Sequence, residues 1–368
     1  MIKVRYSPLL DQYADPDDIL KEIRDVVVRG DFTLGQEVGE FEKQFSAKVN
    51  RRHSIGVGSG TDALKIPLRA LGIGHGDEVI TAANTFWATV GAIAEVGATP
   101  VLVDCGDDMQ IAPSRIEAAI TPNTKAIIPV HIAGNVARMD EIVKIAKAHD
   151  LSVVEDGCQS QMATRNGKMV GSWGIATAFS MHPLKIINVW GDAGVIVTDD
   201  AEMDRQLRLL RNHGLRNRDE MECLGYNSRL DTVQAVVGKK ILKSIEWIAS
   251  RRRENGALYI KGFADMPEIR LQAIDDGVDS MFLFFAMLVD QRDELVEHCT
   301  SKGIDVKVHY PIPLYRQDAL KHLGYVAGDF PETDKQALEC ISLPVDQHLS
   351  EKQIHFVIET VRNFYGYS

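Results

Sequence analysis

Four polar side chains between residues 156 and 185 could together form one reactive site. Asp156 and Gln159 follow the apolar run LSVVE, and Ser180 and Lys185 follow the apolar run IATAF. A carboxylate at the C-terminal end of a buried strand can keep a pyridinium nitrogen protonated, and a partly desolvated lysine can form a Schiff base. The acid and the lysine therefore indicate a pyridoxal phosphate site. A lone lysine after an apolar strand is otherwise a solvated surface residue, and Asp156 upstream decides against that interpretation.

A glycine-rich turn that could bind a phosphate lies upstream, within HSIGVGSGTDALKIPLRAL. This stretch predicts a short strand, a turn and a helix, so residues 58–61 would place free backbone amides and a hydroxyl at the helix N-terminus. The positive end of the helix dipole favours an anion there. The pattern also fits an ordinary glycine turn with Ser or Thr as the N-cap, and the residues alone leave both interpretations open.

Length and charge restrict the class of protein. With 368 residues the chain exceeds the usual size of one domain, and its formal net charge is -11. The basic residues are scattered, apart from the short run RRR at 251–253, which argues against a nucleic-acid surface. We therefore expect no nucleic-acid partner.

The apolar segments and the cysteines indicate the compartment. No stretch reaches the roughly 18 apolar residues that span a bilayer, and MIKVRYSPLL lacks the hydrophobic core of a signal peptide. We expect a soluble, cytoplasmic protein with no membrane partner. The five cysteines are odd in number and far apart, without the close pairs of zinc sites or redox dithiols. We interpret them as reduced residues and expect no metal site.

The order of the apolar segments indicates the fold class. In DEVITAANTFWATVGAIAEVGATPVLVDC short apolar runs alternate with helical ones, which is typical of parallel strands joined by helices. From about residue 250 the pattern changes and favours a small α+β lobe. We predict an α/β protein with a mostly parallel central sheet. The large domain with its N-terminal segment would span residues 1–245, and a smaller C-terminal α+β domain would span residues 246–368.

Several strings along the chain carry a resemblance to a known family. VEDGCQS, FSMHPLK and WGDAGVIVT, with GQEVGEFEKQF and the C-terminal HYPIPLY, resemble the sugar aminotransferases of the DegT/DnrJ/EryC1/StrS family, which are fold type I pyridoxal phosphate enzymes. The likeness covers nearly the whole chain. It implies an aspartate-aminotransferase-like fold and pyridoxal 5'-phosphate as the cofactor. Because FSMHPLK keeps its lysine, the chain does not resemble the dehydratase branch, in which a histidine replaces it.

The resemblance assigns a role to each candidate cofactor residue. Lys185 would be the catalytic lysine, Asp156 would face the pyridinium nitrogen, and Gln159 would hydrogen-bond the 3-hydroxyl of the cofactor. The other implied contacts are with the cofactor phosphate, from Gly60, Thr61 and Ser180, and with the face of the pyridine ring, from Trp87. A buried tryptophan is more often an ordinary core residue, and that is the alternative for Trp87.

Two further segments resemble family segments that surround the active site. Asn227 in GYNSRLDTVQA would reach the phosphate of the neighbouring subunit, so the resemblance implies a homodimer with composite active sites. Arg229 would lie near the acidic amino donor or the sugar, and a surface salt bridge is the alternative. His309 and Tyr310 in VKVHYPIPLY, which matches the segment at the active-site rim, are candidate sugar contacts.

Two histidines and one departure from the family pattern also lie near the site. His131 follows a strand, but the matching family motif keeps a histidine there without a role in proton transfer, so we expect a structural role. His182 begins the turn before the lysine and would touch the cofactor or the partner subunit. The string IINVWGDAG differs from the commoner NLGALGDGG, with the bulky Trp190 in the turn, which bears on the shape of the sugar pocket.

The resulting hypothesis is an aminotransferase that moves an amino group from glutamate to a keto sugar. The strings FTLG and WGDAGV resemble those of members that aminate C3, which favours a nucleotide-linked 3-keto-6-deoxyhexose. Amination of a 4-keto sugar nucleotide is the alternative, since members that aminate C4 more often show LTQG and an EGG turn. A second alternative is a catalytically silent binding or regulatory homologue, because fold alone does not confer function.

Overall fold

A seven-stranded sheet forms the centre of the larger part of the molecule. The computed structural model describes residues 3–367. The strands are β1 (His53–Val57), β2 (Glu78–Ala82), β3 (Thr99–Val103), β4 (Thr124–Ile128), β5 (Ser152–Asp156), β6 (Thr164–Arg165), β7 (Lys168–Met169), β8 (Ala176–Ser180), β9 (Gly194–Thr198), β10 (Ile269–Leu271), β11 (Val278–Asp279), β12 (Phe285–Val289) and β13 (Cys340–Leu343).

The α-helices are α1 (Leu9–Gln12), α2 (Asp17–Arg29), α3 (Gln36–Lys48), α4 (Gly60–Ala70), α5 (Trp87–Glu95), α6 (Pro113–Ala119), α7 (Met139–Ala148), α8 (Ala201–Arg211), α9 (Thr232–Lys243), α10 (Ile245–Phe263), α11 (Arg292–Ser301), α12 (Pro331–Glu339) and α13 (Glu351–Phe364). Short 3₁₀ helices span Ile132–Gly134, Leu314–Arg316 and Asp318–Leu323. Over residues 3–367, none of these helices is long and apolar enough to cross a membrane.

The central sheet has the strand order β1-β9-β8-β5-β4-β2-β3. Strand β9 runs antiparallel to its neighbours β1 and β8. The other neighbouring pairs of the sheet are parallel. The prediction of an α/β protein with a mostly parallel central sheet is therefore confirmed.

Strand β8 illustrates how the sheet is covered on both faces. All of its residues are buried, and successive side chains of a strand point to opposite faces. Phe179 packs against Phe45 of α3, with 5.4 Å between the ring centroids. Ala176 and Ala178 belong to the opposite core, to which α4, α5 and α8 contribute. Their small side chains let α4 approach the sheet closely.

The C-terminal ends of β5 and β8 lie side by side. The two strands are parallel neighbours, and their last residues are Asp156 and Ser180. In open α/β sheets, ligands bind outside the carboxyl ends of the strands. The fold therefore places two of the predicted site residues at the edge of the sheet where a ligand site is expected.

The residues after α9 build a second, antiparallel sheet from β10, β12 and β13. Its core is mostly aliphatic but contains a group of aromatic rings, in which Tyr259 of α10 packs against Phe285 of β12. The domain boundary proposed between residues 245 and 246 falls at the start of α10. Val4 pairs with Ile304 and joins this C-terminal core, so the start of the chain reaches the C-terminal part of the molecule.

Candidate active site

A cavity of about 680 Å³ lies at the C-terminal ends of β5 and β8. Segments from distant parts of the sequence form its wall, including the N-terminus of α4, the turn after β8 and the loop that follows β12 and α11. The predicted residues that line it are Gly60, Thr61, Trp87, Asp156, Gln159, Ser180, Lys185, His309 and Tyr310. The structure thus brings most of the predicted site residues together in one cavity of the chain.

Asp156 is buried at the floor of this cavity, and two donors fix the orientation of its carboxylate. Thr89 Oγ1 donates to Oδ2 at 2.9 Å, and the backbone N–H of Cys158 donates to Oδ1 at 3.1 Å. Thr89 Oγ1 also lies 3.0 Å from Thr85 Oγ1. The carboxylate is therefore held in one rotamer at the end of β5, where it could face a protonated ring nitrogen.

Lys185 lies in the turn that follows β8, and both its backbone polar groups are hydrogen-bonded. Its N–H donates to the His182 carbonyl at 2.8 Å, and its carbonyl accepts from Asn188 Nδ2 at 2.9 Å. Burial lowers the pKa of the Lys185 ammonium, and the nearby Cys158 and Asp156 oppose this shift only in part. A lowered pKa increases the fraction of free amine, which is the nucleophilic form of a lysine.

The N-terminus of α4 and the end of β8 form a cradle that only glycine permits. Ser59 caps the helix by accepting a hydrogen bond from the N–H of Asp62 at 3.0 Å. A Cβ added to Gly60 would lie 2.6 Å from Ser180 Cβ and 2.9 Å from Ser180 Oγ. The cap interpretation and the anion interpretation are therefore compatible, because Ser59 caps the helix while Gly60, Thr61 and Ser180 face the cavity.

Gln159 and Tyr310 contact each other in the wall of the cavity. The Gln159 side chain accepts from the N–H of Ala133 at 3.0 Å, and its Nε2 donates to the Tyr310 hydroxyl at 3.4 Å. Burial raises the pKa of Tyr310, so its hydroxyl keeps its proton at neutral pH. The pair therefore presents an amide and a neutral hydroxyl to the cavity, both of which can hydrogen-bond a polar ligand.

His309 is held by the C-terminal sheet beside the cavity. Its ring stacks on Phe284 with 4.3 Å between the centroids, and its Nδ1 lies 2.8 Å from Ser342 Oγ. Burial, with smaller contributions from the positive charges of Lys185 and Lys307, lowers the pKa of His309 to about 4. The imidazole is therefore neutral at pH 7.

Aromatic rings line the outer part of the cavity. Trp87 begins α5 and is 56% exposed, so it is not an ordinary core residue. Its ring centroid lies 4.2 Å from that of Phe86 and 6.0 Å from that of Tyr310. Trp87 is therefore free to stack on a planar ligand.

Asn227 and Arg229 do not line this cavity. Asn227 is exposed and forms an isolated bridge with Asn212. Arg229 donates from Nη1 to Asn212 Oδ1 at 3.0 Å. Within the chain, these two residues belong to a separate cluster with Asn212.

The two histidines named from the sequence have different positions. His131 is buried outside the cavity, where its Nδ1 accepts from the N–H of Ala137 at 3.1 Å and its Nε2 lies 3.3 Å from Glu155. These contacts use both ring nitrogens, as expected for a structural residue. His182 lines the cavity, and burial followed by the charge of Lys185 lowers its pKa.

Sequence reasoning missed several residues of the wall, among them Tyr6, Phe86, Cys158 and Leu184. Phe86 and Leu184 directly precede predicted site residues, and this adjacency was the only signal for them. Tyr6 reaches the site because its N–H lies 3.4 Å from Asp305 Oδ2, 299 residues away along the chain. No local sequence pattern predicts a contact between segments so far apart.

The comparison with protein families decides the assignment. The model of the DegT/DnrJ/EryC1/StrS aminotransferase family matches residues 14–362. The chain belongs to this family. A pyridoxal phosphate-dependent sugar aminotransferase, as predicted from the sequence, is therefore confirmed at the level of the family.

Individual proteins that this aminotransferase resembles match it over nearly their whole lengths. The pleiotropic regulatory protein of Geobacillus stearothermophilus is 39% identical over 97% of this chain and 98% of its own. The dTDP-3-amino-3,4,6-trideoxy-alpha-D-glucose transaminase of Streptomyces venezuelae is 37% identical over 97% of this chain and 96% of its own. The structure of S. venezuelae DesV in complex with a ketimine intermediate is 36% identical, covers 100% of both chains and superposes with a TM-score of 0.97. The predicted aspartate-aminotransferase-like fold type I is thus confirmed.

The residues of this aminotransferase fit pyridoxal phosphate. The space beside Ser180 that a Cβ of Gly60 would fill, at the N-terminus of α4, suits a phosphate. The oriented carboxylate of Asp156 suits a pyridinium nitrogen, and Lys185 supplies an amine of lowered pKa in the same cavity. Acid, amine and anion cradle are the three groups that the chemistry of this cofactor requires.

Proposed function

We propose that this aminotransferase moves an amino group from glutamate to C3 of a nucleotide-linked 3-keto-6-deoxyhexose. The observation that carries the proposal is the joint presence of Asp156, Ser180 and Lys185 in one cavity. The name of the Streptomyces venezuelae relative, a dTDP-3-amino-3,4,6-trideoxy-alpha-D-glucose transaminase, supports the C3 position. The strings FTLG and WGDAGV support it as well. Glutamate as the donor rests on the family resemblance.

The proposed roles of the polar residues follow from their surroundings. Pyridoxal phosphate, when bound, supplies an electron sink for the bond that breaks at the substrate carbon. Asp156 would accept a hydrogen bond from the protonated ring nitrogen, because Thr89 and the Cys158 amide hold its carboxylate in place. Lys185 Nζ would take up and return the proton at the substrate carbon, since burial lowers its pKa and increases the fraction of free amine.

The phosphate end of the site would be closed by residues of two subunits. Gly60, Thr61 and Ser180 would bind the phosphate from one side, with the dipole of α4 favouring its negative charge. Asn227 lies outside the cavity of its own subunit, and we propose that it reaches the phosphate in the partner subunit of a homodimer. Arg229 would accompany it and face the donor carboxylate or the sugar nucleotide.

The mouth of the cavity suits a deoxygenated sugar. Leu184 and Ile312 line it and are 47% and 52% exposed. An apolar wall can contact the C5 methyl group of a 6-deoxyhexose, whereas a hydroxymethyl group there would lose water without gaining a partner. His309 and Tyr310 would supply hydrogen bonds to the sugar hydroxyls, because both rings lie at the cavity in their neutral forms.

The location of the enzyme is also proposed. The five cysteines are free thiols in the described structure. Unpaired thiols are typical of reducing compartments, and they support a cytoplasmic enzyme.

The test of the proposed function compares two lysine variants. We expect wild type and Lys168→Ala, which removes an exposed lysine of β7, to transfer nitrogen from glutamate to at least one sugar in a panel of dTDP-, UDP- and GDP-linked keto sugars. Lys185→Ala should lose this turnover, since the variant lacks the amine that would carry the proton. Normal turnover by Lys185→Ala would show that the role proposed for Lys185 is wrong.

A regulatory role without turnover is a second candidate. The Geobacillus stearothermophilus relative is named a pleiotropic regulatory protein. Cofactor binding by wild type, without transfer to any sugar of the panel, would favour this candidate. The complete set of Asp156, Gln159, Ser180 and Lys185 in the cavity argues against it.

A further inference from the structure

A series of hydrogen bonds joins the backbone of Lys185 to the C-terminal part of the molecule through the start of the chain. Asn188 Nδ2 donates to the Lys185 carbonyl at 2.9 Å. Gln12 Nε2 donates to Asn188 Oδ1 at 2.8 Å, and Gln347 Nε2 donates to Gln12 Oε1 at 3.0 Å. Arg252 Nε donates to Gln347 Oε1 at 3.0 Å. We call these four side chains, from Asn188 to Arg252, the hydrogen-bond series.

The two ends of the series determine the orientation of every amide within it. The Lys185 carbonyl can only accept, so Asn188 must turn its NH₂ group towards it and its oxygen towards Gln12. The Arg252 guanidinium can only donate, so Gln347 must turn its oxygen towards it. Gln12 then fits between Asn188 and Gln347 in one orientation alone. Such a series has a single arrangement in which all members are satisfied, and that arrangement includes the Lys185 backbone.

Three of the four members are shielded from water, which strengthens their bonds, while Gln12 is half-buried. Asn188, Gln347 and Arg252 are 1%, 2% and 3% exposed. Arg252 also donates from Nη1 to the Phe282 carbonyl at 2.9 Å, which anchors the far end in the segment before β12. In a low-dielectric interior a broken member would leave a polar group without a partner, at high cost.

The first helix is fixed to the lysine turn by a second contact. The Tyr13 hydroxyl donates to the same Asn188 oxygen as Gln12 does. The Tyr13 ring also meets Trp190 edge-on, with 5.6 Å between the centroids. Asn188 and Trp190 both lie in IINVWGDAG, the string that departs from the commoner NLGALGDGG. Two side chains that differ from the commoner string, Asn188 and Trp190, are therefore the ones that contact residues 9–13.

We propose that Asn188 is a positioning residue for Lys185, and that Gln12 and Tyr13 control it by docking the start of the chain against the lysine turn. The proposal rests on the role proposed above for Lys185. When residues 9–13 are seated, the lysine backbone is held; when they leave, Asn188 loses both donors and is free to turn. The placement of the lysine thus depends on contacts with Gln347 and Arg252 in the C-terminal part.

The test measures amide hydrogen exchange in the full-length, cofactor-loaded protein. Gln12→Met keeps the bulk of the side chain but removes both of its hydrogen bonds, and Tyr13→Phe removes one hydroxyl and keeps the ring against Trp190. Each variant should speed exchange not only in residues 9–13 but also in residues 181–191, by roughly fivefold or more for Gln12→Met. The matched control is Gln36→Met, which removes the contact of an exposed glutamine with Glu40 in α3.

Asn188→Asp cuts the series at the next bond. An aspartate keeps the oxygen that accepts from Gln12 and Tyr13, but it cannot donate to the Lys185 carbonyl. Exchange should rise in residues 181–191 and change little in residues 9–13. Steady-state kinetics should show a lower kcat for Gln12→Met with the KM for the sugar unchanged within about twofold, since an effect through the lysine leaves sugar binding intact.

The results distinguish this proposal from the proposed function. Faster exchange confined to residues 9–13 in both Gln12→Met and Tyr13→Phe would overturn the coupling, even if Lys185→Ala abolishes turnover. Normal turnover by Lys185→Ala would instead refute the role of the lysine, whatever the exchange data show. An unchanged kcat in Gln12→Met with faster exchange at 181–191 would contradict the claim that the coupling positions the lysine.

Discussion

The hydroxyl of Thr89 donates to Asp156 at 2.9 Å and joins helix α5 to the end of strand β5. Trp87 lies two residues earlier, at the first position of the same helix. The proposed stacking residue and the proposed acid are therefore held in a fixed relation by one hydrogen bond. A substitution of Thr89 should therefore weaken cofactor binding, although Thr89 does not line the cavity.

We expect Thr89→Val to weaken cofactor binding. Valine keeps the shape of threonine but cannot donate, and losing a hydrogen bond to a charged group costs roughly 1.5–3 kcal/mol. The dissociation constant for pyridoxal phosphate, measured by absorbance titration of the apoenzyme, should rise about tenfold or more. Thr300→Val, at an exposed position of α11, is the matched control. Equal affinity of the two variants would mean that the bond does not orient the acid.

Gly60→Ala should also impair cofactor binding, for a steric reason. The new Cβ would lie 2.6 Å from Ser180 Cβ. Because both atoms are attached directly to the backbone, neither can move away by a rotation of its side chain. The phosphate cradle must widen, so cofactor affinity should fall while the protein stays folded. Gly39→Ala is the control, because no atom lies within 4 Å of its added Cβ and alanine favours the helix by about 1 kcal/mol. Wild-type affinity in Gly60→Ala would contradict the assignment of the cradle.

His309 should make stability depend on pH between about 6.5 and 4. Burial first, and then the charges of Lys185 and Lys307, lower its pKa to about 4. The unfolded chain has an ordinary histidine pKa of about 6.5, so it binds more protons in this window and stability falls as the pH falls. The full loss amounts to about 3 kcal/mol.

Denaturant unfolding at a series of pH values measures this effect. His309→Gln should show a shallower fall in the free energy of unfolding below pH 6.5 than wild type does. His355→Gln, at an exposed position of α13, removes a histidine elsewhere and should keep the wild-type slope. If both variants had the wild-type slope, burial of His309 would not be the cause.

Mixing inactive subunits tests the proposed composite site. If Asn227 acts in the partner subunit, a heterodimer of Asn227→Ala and Lys185→Ala contains one complete site. Random exchange of subunits should then restore activity to about a quarter of the wild-type value. Should both residues act within one subunit, no mixture would contain a complete site and activity would stay at the level of the separate variants. A fully active monomer in sedimentation would contradict the homodimer directly.

The sequence predicted the sheet and the floor of the site because these depend on local patterns. Asp156 and Ser180 each end an apolar run, and the carboxyl ends of parallel strands meet at one edge. The turn at Gly60 had two interpretations, because a glycine-rich turn before a helix also fits an ordinary N-cap, and only the family resemblance favoured the phosphate. For Gln159 and Trp87, the family resemblance was needed to give the residue a role.

The rest of the site depends on contacts between distant segments. Gln12 and Asn188 are 176 residues apart, and neither belongs to a periodic pattern that would predict their contact. Tyr310 meets Gln159 across 151 residues in the same way. Asn227 and Arg229 illustrate the converse. The motif that contains them matches the family clearly, but the two residues lie outside the cavity of the chain. Tertiary packing, rather than local propensity, decides such positions.

The most direct test follows labelled nitrogen from ¹⁵N-glutamate to the sugar. The enzyme, loaded with pyridoxal phosphate, is incubated with a dTDP-linked 3-keto-6-deoxyhexose or with its 4-keto isomer, and the product is examined by NMR. We expect ¹⁵N bonded to C3 of the product from the 3-keto sugar, and no labelled product with Lys185→Ala. Efficient amination of the 4-keto isomer, with no turnover of the 3-keto sugar, would contradict the account.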